Sequence, residues 1–74
     1  MQIRVLPGEH DDWIVKEDGG RELGHYPRKA EAEAVGRKLA RKRKAELVIQ
    51  DTSGKVEQRS HPYRGWLRRL LFGR

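Results

Sequence analysis

With 74 residues, 38% of them charged and 35% apolar, the chain has room for one domain with a thin core, burying only about 60% of its unfolded surface. It contains no cysteine, which excludes disulfides, thiolate metal sites and a cysteine nucleophile and fits a reducing, cytoplasmic setting. The formal charge of +6 is unevenly spread: residues 1–33 hold 8 acids and 5 bases (−3), and residues 34–74 hold 3 acids and 12 bases (+9), which points to an anionic partner.

Gln2–Leu6 alternates, with Ile3 and Val5 on one side and Gln2 and Arg4 on the other, so a strand is predicted. No apolar leader segment separates Met1 from this strand, and no stretch approaches the roughly 18 apolar residues of a membrane span. Pro7-Gly8 breaks the strand. A second strand is predicted at Trp13–Lys16, where Trp13 and Val15 share a face. Asp18-Gly19-Gly20 supplies the positive φ of a tight hairpin, and Glu22–Tyr26 is the third strand, weakened by Gly24.

Pro27 suits a helix start, because its missing amide hydrogen would be unpaired there anyway. Residues 28–44 are mostly Ala, Lys, Arg, Glu and Leu, all good helix formers. At 100° per residue, Ala32, Val35, Gly36 and Leu39 form the stripe to be buried, with Ala40 at its margin. Ala32 and Gly36 are small enough to bring the helix close to a sheet. Glu33 and Arg37 have the i, i+4 spacing of a favourable pair, worth about 0.2–0.5 kcal/mol. A fourth strand, Glu46–Gln50, rests on Leu47, Val48 and Ile49; Asp51-Thr52-Ser53-Gly54 turns the chain into a polar fifth strand at Lys55–Ser60.

Pro62 ends this body, and residues 63–74 form a separate basic, amphipathic tail. Trp66, Leu67, Leu70 and Leu71 share one helical face, while Arg64, Arg68 and Arg69 lie outside it. The expected architecture is α+β: a small antiparallel sheet, with elements in the order β-β-β-α-β-β, packed on one main helix, plus a short C-terminal amphipathic helix.

The segments Trp13-Ile14-Val15-Lys16, Lys29-Ala30-Glu31-Ala32, Leu39-Ala40, Ala45-Glu46-Leu47-Val48-Ile49 and Gly54-Lys55-Val56 follow one another at a spacing that resembles the short bacterial family called domain of unknown function 2188. The resemblance covers residues 2–60 and rests on structural motifs, so it implies a fold and no activity. Two departures carry a cost. Pro27-Arg28 stands where the family commonly has a Thr or Ser cap, and loss of a good cap costs about 1 kcal/mol. Lys44 stands where a Gly often ends the helix, so a left-handed lysine costing about 1 kcal/mol is expected.

Six bases crowd into eight residues at Arg37, Lys38, Arg41, Lys42, Arg43 and Lys44. Arg37, Arg41 and Lys44 point away from the stripe, Lys38 flanks them, and Ala30 and Ala34 leave that side flat enough to approach phosphates. The competing interpretation is a solvated face whose last-turn bases suit the helix dipole. Trp13 and Tyr26 are expected in the core and at the sheet–helix junction. His10, Asp11 and Asp12 share a loop, yet His10, His25 and His61 have no metal-ligand spacing, so neither metal nor cofactor is expected. Ser60-His61 is not a nucleophile–base pair by adjacency alone.

These features favour a binding module over an enzyme, because no acid, base and nucleophile assemble at recognisable spacing. Nucleic acid is the favoured partner, with Arg37, Lys38, Arg41, Lys44, Arg68 and Arg69 as phosphate contacts. One alternative is a protein partner or homo-oligomer docked on the sheet face or the tail. Another is an anionic membrane surface, met by the tail through Trp66, Leu67, Leu70 and Leu71.

Overall fold

Alternating Ile3 and Val5 set the first strand of the fold; the computed structural model describes residues 1–62. β1 (Gln2–Pro7), β2 (Trp13–Glu17) and β3 (Glu22–Tyr26) form a meander. α1 (Lys29–Arg43) follows, then the hairpin of β4 (Glu46–Gln50) and β5 (Val56–Ser60). The predicted strand at Lys55–Ser60 starts one residue later, and the predicted strands β3 and β4 keep their expected bounds. A tight turn, Asp18–Gly20, joins β2 to β3, with Gly19 and Gly20 both at positive φ.

Sheet order is β3-β2-β1-β4-β5, and this corrects the antiparallel expectation. β1 and β4 pair in parallel, with Ile3 opposite Leu47 and Val5 opposite Ile49. The other three pairings are antiparallel, so the sheet is mixed. The cause lies in α1. Its 15 residues run about 22 Å at 1.5 Å each, which carries the chain back along the whole sheet. Only a strand running in the direction of β1 can follow after the short connection Lys44-Ala45. The expected C-terminal amphipathic helix lies outside the described residues.

The core sits between α1 and one face of the sheet. Ile3, Val5, Val15, Leu47 and Ile49 meet Ala32 and Ala40, with Trp13, Leu23, Tyr26, Val35 and Leu39 packed around them. The predicted stripe thus faces the sheet, and Ala40 is central to it rather than marginal. A Cβ on Gly36 would meet Val5 and Leu47, so glycine sets the depth at which the helix seats. Both irregular caps occur as the sequence implies. Arg28 caps the N-terminus without a side-chain hydrogen bond. Lys44 takes the left-handed conformation (φ 54, ψ 46), and the Ala45 N–H donates to the Ala40 carbonyl at 2.8 Å.

Candidate polyanion interface

Burial of Ala32, Gly36 and Ala40 against the sheet fixes which side of α1 remains outside. Lys38, Arg41, Lys42 and Lys44 are exposed there and Arg37 is half-buried. No carboxylate among the described residues lies within ion-pair distance of these five cations. The expected Glu33–Arg37 pair is therefore not formed. Arg43 differs: its guanidinium donates to Glu17, which also lies 3.8 Å from Arg21. The sixth base of the run is thus tied to the end of β2 and is a fastening of helix to sheet.

Lys29, at the other end of α1, is also engaged. Its ammonium pairs with Glu57 on β5 and stands 5.3 Å from the centre of the Trp13 ring, a cation–π distance. Trp13 is half-buried against the core, and Tyr26, its partner across β2–β3, packs beside it. Five cations without a described carboxylate partner are thus grouped at the C-terminal end of α1, where they also face the negative end of the helix dipole. Arg68 and Arg69, and the apolar set Trp66, Leu67, Leu70 and Leu71, lie outside the described residues.

A second cluster occupies the opposite face of the sheet. His25 on β3 places Nδ1 3.0 Å from Asp12 Oδ2 and Nε2 2.6 Å from Glu22 Oε1. Carboxylates only accept, so both contacts are hydrogen bonds only when both ring nitrogens carry protons. Asp12 first and Glu22 second hold the His25 pKa above its ordinary value. The same hydrogen bond from His25 lowers Asp12. Beside the trio, Leu6 and Ile14 floor an open groove of about 430 Å³ rimmed by Glu9, His10, Asp12, Lys16, Glu22 and His25. Sequence spacing concealed this trio, because Asp12 meets His25 only through the register that sets Trp13 opposite Tyr26.

Among the described residues no group of three or more His, Cys, Asp or Glu side chains is placed to hold a metal ion. No helix among them is long and apolar enough to cross a membrane. No curated protein and no solved structure matches the chain. A family model described as an uncharacterized protein conserved in bacteria (DUF2188) matches residues 3–61.

Proposed function

The chain belongs to the DUF2188 family of uncharacterized bacterial proteins, and on that premise we propose that it is a non-enzymatic module binding a polyanion, with nucleic acid as the favoured partner. Family membership brings no activity with it, so the surface carries the reading. The supporting observation is the set of five cations on the outer side of α1, Arg37, Lys38, Arg41, Lys42 and Lys44, none neutralised by a described carboxylate. Ala30 and Ala34 are exposed beside them and add no bulk. A phosphate backbone laid along this side exchanges condensed counterions for lysine and arginine and gains affinity without reading bases.

Titration of the full chain against duplex DNA and RNA over a range of salt tests this. Five phosphate contacts give a slope of log K against log salt of roughly −4.5 on a duplex. A flat salt response, or binding to anionic vesicles without binding to either nucleic acid, overturns the reading.

A further inference from the structure

Given the polyanion reading, on which this rests, we propose that the bound polyanion follows α1 only over its last two turns and then continues across the β2–β3 turn, where Arg21 is a further phosphate contact.

Charge changes abruptly along α1. Residues 28–36 hold two bases, Arg28 and Lys29, and two acids, Glu31 and Glu33. Residues 37–44 hold six bases and no acid. Lys29 is paired with Glu57, whereas no described cation lies within ion-pair distance of Glu31 or Glu33. A phosphate chain continued toward the N-terminus of α1 therefore meets two unmatched carboxylates, which repel it. Its favourable continuation is past the C-terminus.

That end of α1 is joined to the β2–β3 turn. Glu17 lies opposite Ile3 across β1–β2, so it belongs to the face that α1 covers. Arg43 reaches it from the last turn of the helix. Arg21 approaches the same side chain to 3.8 Å from the turn. Two guanidiniums share one carboxylate, which leaves one positive charge over. The Arg21 side chain is 78% exposed, so that surplus is open to a ligand.

Backbone geometry fixes Arg21 in this place. The Glu17 N–H donates to the Arg21 carbonyl at 3.0 Å, closing the turn around Gly19 and Gly20 at positive φ. Glu17 is thus a positioning residue that holds one arginine of the helix and one of the turn. The neighbouring acids are engaged as well. Asp18 is 3.8 Å from the Met1 amino group, and Glu22 meets His25. The bridge of Arg43, Glu17 and Arg21 therefore extends the cationic surface of residues 37–44 instead of interrupting it.

The test measures the salt dependence of full-chain binding to a short DNA duplex. Arg21→Gln should reduce the slope of log K against log salt by about 0.9, the value of one phosphate contact. Arg28→Gln makes the same change in charge at the far end of α1 and should leave the slope as it was. Arg21→Lys keeps the charge and should keep the slope, which separates a contact from a structural role in the turn. An unchanged slope in Arg21→Gln overturns the proposal, while the polyanion reading still stands on the binding of the unsubstituted chain. So does a loss in Arg28→Gln as large as that in Arg21→Gln, or a loss in Arg21→Lys as large. An unsubstituted chain that binds no nucleic acid overturns both.

Discussion

Gly36 of α1 faces Val5 of β1 so closely that a Cβ at residue 36 would sit 2.8 Å from the Val5 Cγ2 and 3.2 Å from the Leu47 Cδ1. Val5 and Leu47 are fully buried and have little room to retreat. Gly36→Ala gains about 1 kcal/mol of helix propensity. Overpacking of a tight core costs about 1–3 kcal/mol. The net expectation is a loss of about 1 kcal/mol in urea unfolding. The exposed Ala34→Gly should lose a similar amount for the opposite reason, through propensity alone.

The start of α1 can be improved. Arg28 is the N-cap and makes no side-chain hydrogen bond, while Glu31 already stands three residues later. Arg28→Ser completes a capping box, in which the serine accepts from the amide of residue 31 and Glu31 reaches back to the amide of residue 28. Stability should rise by about 1 kcal/mol, read from the urea midpoint at constant slope.

At the other end, Lys44 occupies the left-handed region at φ 54. Lys44→Gly removes the Cβ clash and should add about 1 kcal/mol. It also deletes one of the five cations proposed to meet the polyanion, so polyanion affinity should fall as stability rises. An affinity left unchanged by this substitution would remove Lys44 from the interface.

His25 gives the pH dependence. Its pKa is raised, chiefly by the hydrogen bond to Asp12 and then by Glu22. Its contribution is therefore complete below the unfolded value near 6.5 and is lost as pH rises through the folded value above it. Asp12 is lowered, so its contribution holds above 3.8 and is lost as pH falls through the folded value below that. The link between the β1–β2 loop and β3 is intact between these limits. The His25 ring signals should titrate above 6.5 by NMR, and Glu22→Gln should bring the midpoint down. A midpoint unmoved by that change means that Glu22 does not touch the ring in solution. The trio is exposed to solvent, so the expected readout is chemical shift and not global unfolding.

Local chemistry made much of this legible beforehand. Glycines with positive φ announced the β2–β3 turn, and the period of Ala32, Val35, Gly36 and Leu39 announced the buried side of α1. What spacing did not reveal depends on pairing between distant segments. The parallel β1–β4 ladder was signalled only indirectly, by the unbroken Leu47-Val48-Ile49 run and by a helix long enough to carry the chain back along the sheet. Arg43 looked like one more member of the basic run, and only the topology brings it to Glu17, 26 residues earlier. Within the Asp12–His25–Glu22 trio, Glu22 and His25 are three residues apart on β3, but Asp12 had no local signal, since it lies on a loop that only register brings to His25.

Charge reversal on one side of α1 tests polyanion binding most directly. Arg37→Glu/Arg41→Glu should be compared with Arg28→Glu/Lys55→Glu, which makes the same change in net charge at exposed positions outside the interface. Both proteins should remain folded by circular dichroism. At low salt the first should bind duplex DNA or RNA at least about tenfold more weakly than the unsubstituted chain and show a salt slope reduced by about 2, at roughly 0.9 per lost phosphate contact. The second should stay close to the unsubstituted chain. Equal losses in both would show that net charge alone attracts nucleic acid, and an unchanged affinity in the first would remove α1 from the interface.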